Sequence, residues 1–143
     1  MIVADTSFLF SLFGHDTNTA TAQNWARWTK QPVGVTALNR FEFGNAVRLA
    51  VFRGAISEDH AVSSLAAFEA DLKLGMLRVA SCDLLAVLSE AERLSERHTS
   101  RGGHRAFDIL HIASASVLKA AAFLTFDQNQ RKLAETAGIP VGP

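Results

Sequence analysis

The chain has 143 residues, 48% of them hydrophobic and 20% charged, which suits one folded domain spanning residues 1–143 around a hydrophobic core. Lys plus Arg and Asp plus Glu each number 14, which excludes a protein that grips polyanions by bulk charge and leaves a local basic patch as the only route to nucleic acid. Cys82 is the only cysteine, so no intramolecular disulfide can form, and no apolar run reaches the roughly 18 residues of a membrane span.

In chain order, Met1-Ile2-Val3-Ala4-Asp5 has no basic leader and meets an acid at once, unlike a signal peptide, so a cytoplasmic protein is expected. Ile2-Val3-Ala4 reads as a short buried strand ending at Asp5, with a helix after it. Residues 19–30 (TATAQNWARWTK) read as a helix with Ala22, Trp25, Ala26 and Trp28 near one face. VGVTA is the second strand, followed by a helix from about Asn39 to Arg53 that Gly54 stops. Ser57 caps the next helix, which runs to about Leu74 with Ala61, Leu65 and Phe68 inward. MLRVA is the third strand, and residues 83–97 form an amphipathic helix with Leu84, Leu88, Ala91 and Leu94 inward. HTSRGGHR (98–105) reads as a flexible loop, and a packed helix starts near Asp108. AFLTF is the fourth strand, ending at Asp127; a helix to about Ala137 and a short final strand at Ile139-Pro140-Val141 complete the chain. Uniformly apolar strands alternating with helices predict a parallel sheet covered on both faces, with ligands beyond the carboxyl ends of the strands.

That rule places four acids on one edge. Asp5 and Asp127 follow their strands, Glu42 lies in the first turn of the helix after VGVTA, and Asp108 heads its own helix. Converging carboxylates repel one another unless a cation compensates. No His or Cys spacing suits zinc, and hard oxygen ligands favour Mg²⁺ or Mn²⁺. A hydrated divalent ion among acids lowers the pKa of a bound water and stabilises charge on a phosphoryl oxygen, which points to phosphodiester hydrolysis. Each acid also has a structural explanation. Asp5 and Asp127 can be helix caps, Asn39 and Glu42 have capping-box spacing, and Asp108 can serve a helix dipole.

At these same residues the chain resembles a known family. MIVADTSFLFSLF, TALNRFEFGNAV, RAFDILHIASA and FLTFDQNQRKLAETAGI are similar, in order and with ordinary spacing, to the four signature segments of PIN-domain nucleases, and most of all to the VapC-like toxins of prokaryotic toxin–antitoxin pairs. The resemblance implies a three-layer, Rossmann-like α/β/α sandwich with a mostly parallel central sheet. It implies a Mg²⁺- or Mn²⁺-dependent endoribonuclease acting on single-stranded RNA, with a cognate antitoxin and a homodimer or toxin–antitoxin hetero-oligomer. Its acidic quartet maps onto Asp5, Glu42, Asp108 and Asp127, its hydroxyl position onto Thr6 and Ser7, and a common polar position onto Thr125. Asp5 and Asp108 are expected as the main metal ligands, with Asp127 and Glu42 completing the pocket and one of them orienting the attacking water. Thr6, Ser7 and Thr125 are expected to hydrogen-bond the carboxylates or metal-bound waters.

Other residues have two readings each. His111, one turn after Asp108, could touch substrate or sit satisfied in the core. Arg97, Arg101, His104 and Arg105 could hold RNA phosphates beside the metal or line a solvated loop, and Arg40, Arg48 and Arg53 flank Glu42 with the same choice. Trp25, Trp28 and the FLFSLF run (residues 8–13) suit core packing better than base stacking, and some could line a groove for a partner helix. Cys82 has no nucleophile setting. Two alternative functions compete: a non-catalytic PIN-like module binding RNA or protein, and an aspartyl-phosphate hydrolase. For the latter, the second acid expected two residues after Asp5 is replaced by Ser7.

Overall fold

The computed structural model describes residues 1–29 and 31–143. The strands are β1 (Ile2–Ala4), β2 (Val33–Val35), β3 (Leu77–Val79), β4 (Ala122–Leu124) and β5 (Val141–Gly142). Between them run α1 (Thr6–Phe13), α2 (Thr19–Thr29), α3 (Ala37–Phe52), α4 (Glu58–Leu74), α5 (Leu84–Gly102), α6 (Ala106–Val117) and α7 (Gln128–Thr136). The sheet order is β3-β2-β1-β4-β5 and every neighbouring pair is parallel. The expected α/β sandwich on a parallel sheet is the observed architecture.

Consecutive strand residues face opposite sides of a sheet, and β4 divides the core accordingly. Leu124 packs with Ala4, Phe8, Val35 and Phe43 under α1 to α4, where Phe43 and Phe68 stack at 4.8 Å. Phe123 packs on the other face with Ile109, Ile112 and Leu133 from α6 and α7. The chain lays strands outward from β1 to β3, then returns to the far side of β1 for β4. Parallel sheets open a crevice at such a reversal, beyond the carboxyl ends of the strands. Asp5 follows β1 there, its N–H bonded to the Leu124 carbonyl at 2.9 Å.

Several boundaries differ from expectation for local reasons. Helix α3 begins earlier because Thr36 and Asn39 form the capping box, not Asn39 and Glu42. Glu42 therefore stands in the second turn without a capping duty. Helix α5 runs through Gly102, absorbing most of the expected loop 98–105, and Gly103 ends it in the left-handed region at φ 65°. Trp28 is 86% exposed and Leu84 57%, with Leu88 also exposed, so these do not face inward; Val87 and Leu94 carry the buried side of α5. The expected last residue of the second helix, Lys30, lies outside the described residues. Among the described residues no helix is long and apolar enough to cross a membrane.

Candidate active site

Asp5 is the floor of the crevice. It is fully buried and caps α1, with Oδ1 accepting from the Phe8 N–H at 2.8 Å. Ser7 donates to both its oxygens at 2.8 Å. Oδ2 also accepts from the Thr125 hydroxyl at 2.8 Å and from Gln130 Nε2 at 2.9 Å. One carboxylate thus ties together α1, the end of β4 and α7. Burial pushes Asp5 up to about 6, against the pull of the bonds from Phe8, Thr125 and Ser7.

Glu42 forms one wall. Its Oε2 accepts from the Thr6 hydroxyl and pairs with His111 Nε2 at 2.5 Å. Asn39 fixes the histidine. Its Oδ1 accepts from the Thr36 N–H at 2.8 Å, which orients Nδ2 as donor to the Ala4 carbonyl at 3.0 Å and to His111 Nδ1 at 3.1 Å. His111 Nδ1 is therefore the acceptor, and Nε2–H donates to Glu42. Burial pushes Glu42 up, but the bonds from His111 and Thr6 outweigh it and hold the carboxyl below its ordinary value. His111 is 1% exposed and does not line the cleft, which it adjoins through Glu42 and the cleft residue Phe107. Asn39→Ala is expected to lower the unfolding free energy in urea by about 2–3 kcal/mol, because it strips partners from several buried polar groups at once.

Asp108 and Asp127 form the opposite wall. Asp108, in the first turn of α6, is buried and accepts from Arg105 Nε at 3.1 Å. Asp127 caps α7, accepting from the Asn129 N–H at 2.8 Å and the Gln130 N–H at 3.0 Å. The Arg105 guanidinium also reaches Asp127 at 3.6 Å, so a cation already lies between the two carboxylates. Thr6, Ser7, Glu42, Asp108, Asp127 and Gln130 line one cavity of about 770 Å³, which extends past Phe10 and Phe107 to Arg53.

The cavity brings three of the four acids to one surface and leaves Asp5 beneath, behind Ser7 and Gln130. As they lie, no three His, Cys, Asp or Glu side chains among the described residues are grouped to hold an ion. The donor chemistry nonetheless fits a hard cation. Every acid presents oxygen, a guanidinium already collects their charge, and Gln130 Oε1 is buried with no hydrogen-bond partner. An orphaned acceptor beside a carboxylate suits a water held on a metal.

The expected basic cluster divides. Arg105 lies in the cleft, but Arg101 and His104 do not; with Arg97 they line a separate cavity against α7. The reason is the added helical turn, which carries Arg101 along α5, and the reversal at Gly103, which folds His104 back over Gly102. Arg40 pairs with Glu69 at 2.7 Å and, like Arg48, faces another cavity, whereas Arg53 lines the cleft. Sequence reading missed Gln130 and paired Asn39 with Glu42 as a cap rather than with Thr36 and His111. The signal was present in the spacing, since each lies three residues from an acid of the quartet, one turn along its own helix.

The PIN domain family profile matches residues 2–136. Among proteins of curated function, none matches this sequence. The chain is similar in structure to Mycobacterium tuberculosis VapC20, described as a sarcin–ricin loop cleaving toxin, with TM-score 0.68 and 22% identity over 97% of this chain and 96% of that one. It is similar to FitAcB from Neisseria gonorrhoeae, with TM-score 0.63 and 15% identity over 100% and 97% of the two chains. It is also similar to PAE2754 from Pyrobaculum aerophilum, with TM-score 0.61 and 19% identity over 98% and 82%.

Proposed function

This chain belongs to the PIN domain family, and from that premise we propose that it is a Mg²⁺- or Mn²⁺-dependent endoribonuclease, the toxin of a toxin–antitoxin pair, cleaving single-stranded regions of RNA. One observation carries the reading: Glu42, Asp108 and Asp127, from separate elements, line one cavity above the buried Asp5 where the sheet order reverses. VapC20, a neighbour in fold, is described as a sarcin–ricin loop cleaving toxin, and this chain is read as a cleaving toxin likewise, with a cognate antitoxin as partner.

Asp5 and Asp108 would hold the metal directly or through water, with Asp127 completing the anionic pocket. Bound there, the ion would acidify a water and stabilise charge on the phosphoryl oxygen. Glu42 keeps Oε2 on Thr6 and His111, which leaves Oε1 to orient the attacking water and take its proton. Thr6 and the Asn39–His111 tie hold that carboxylate in one rotamer. Ser7, Thr125 and Gln130 position Asp5. Arg105, released from Asp108 and Asp127 as substrate enters, would pair with the phosphate.

The test is incubation of purified protein with single-stranded RNA in Mg²⁺, in Mn²⁺ and in excess EDTA. Cleavage in both metals and loss of cleavage in EDTA are expected. Undiminished cleavage in EDTA would reject the metal, and intact RNA in every lane would reject the nuclease.

A further inference from the structure

The cavity that captured Arg101 and His104 has a composition that solubility alone does not explain. It measures about 460 Å³, lies between the C-terminal turns of α5 and the flank of α7, and has Arg97, His98, Arg101, His104 and Lys132 on its walls with no carboxylate. Neither Arg97, Arg101 nor Lys132 forms an ion pair among the described residues, although the chain has as many acids as Lys and Arg together. Compensation of a helix dipole accounts for Arg101, the one basic residue in the last turn of α5. It does not account for Arg97, further back, or for Lys132, which comes from another helix. His104 Nδ1 is buried with no hydrogen-bond partner, and the ring is pressed over Gly102, where an added Cβ would stand 2.2 Å from Nε2.

This cavity adjoins the acidic cleft. Helix α7 begins with Asp127 in the cleft and places Asn129 and Lys132 here; His104 lines this cavity and the next residue, Arg105, lines the cleft. A strand with its reactive phosphodiester among carboxylates has flanking phosphates that those same carboxylates repel. They require positive charge nearby and outside the cleft. We propose that the α5–α7 cavity is a phosphate subsite that holds the RNA backbone away from the scissile bond, with Arg101, Lys132 and Arg97 as its cations. This rests on the ribonuclease reading for the identity of the ligand.

The experiment is fluorescence anisotropy with a labelled single-stranded RNA in EDTA, where cleavage does not intervene, across a series of salt concentrations. The variants are Arg101→Gln/Lys132→Gln and, as a charge-matched control at exposed positions on α2 and α4, Arg27→Gln/Lys73→Gln. The double variant is expected to bind about tenfold more weakly, with the slope of log affinity against log salt reduced by about one to two, while the control binds as wild type. Unchanged affinity and slope in a double variant that melts like wild type would overturn the proposal. So would an acidic peptide that binds wild type and loses affinity in the double variant while RNA binding does not move, which would make the cavity a protein-docking site. The two readings fail separately. A wild-type protein that cleaves no RNA but shows the expected affinity loss keeps the subsite and loses the nuclease; cleavage with no affinity loss does the reverse.

Discussion

Asp108→Asn is expected to reduce Mg²⁺-supported RNA cleavage by about 10³-fold or more, the loss that follows from several kcal/mol of misplaced charge stabilisation at the reacting phosphate. The substitution keeps the shape of a buried side chain and removes only its charge. Glu42 and Asp127 cannot take its place, because the first is tied to Thr6 and His111 and the second to the amino end of α7. Mn²⁺ binding by isothermal titration is expected to weaken in parallel. Thermal melting of the metal-free protein is expected to change little, since the lost partner, Arg105, is exposed and its pairing adds little stability. Wild-type cleavage in a variant verified by mass would remove Asp108 from the chemistry.

The metal-free protein is expected to lose about 3 kcal/mol of unfolding free energy through Asp5 as pH rises, a figure that follows from the difference between a folded pKa of about 6 and the unfolded 3.8. The direction is fixed by the sign of the shift. A folded pKa above the unfolded one means that the folded state holds its proton more tightly. The stabilisation is complete below pH 3.8, declines above it and is gone once pH passes about 6. Glu42 acts the other way: its lowered pKa contributes stability above its unfolded 4.5 that is lost as pH falls. The two separate by subtraction. Urea unfolding of wild type and Asp5→Asn should differ by an amount that moves by about 2–3 kcal/mol between about pH 4 and pH 7. The amide of Gln130 can turn its unpartnered Oε1 toward the N–H donor that this substitution introduces, so the variant retains a hydrogen-bonded floor. Mn²⁺ should bind more tightly at pH 7 than at pH 5, because below 6 it must displace a proton from Asp5. A pH-independent difference between the two proteins would contradict the burial argument.

Where sequence and structure agree, the cause is local. The apolar strand β1 followed directly by Asp5, Ser57 ahead of α4, and Gly54 after α3 each express a rule that acts within one turn of chain. The disagreements also have local causes. Periodicity gives α5 an apolar stripe, but the buried line runs through Val87 and Leu94, seven residues apart, leaving Leu84 and Leu88 in solvent. The two glycines in HTSRGGHR suggest a loop along the whole stretch, whereas only Gly103 adopts the left-handed conformation that ends a helix.

By itself, then, the sequence determined the parallel α/β architecture and the placing of Asp5, Asp108 and Asp127 at helix starts, because capping and hydrophobic period are properties of neighbouring residues. Only the tertiary structure decided which groups meet. It set His111 on Glu42 across 69 positions and Gln130 on Asp5 across 125, placed Arg105 between two carboxylates, and sent Arg101 and His104 to a different cavity. The physical reason is that a hydrogen bond or ion pair depends on ångström distances between side chains. Those distances follow from how helices pack on the sheet, which spacing along the chain does not encode.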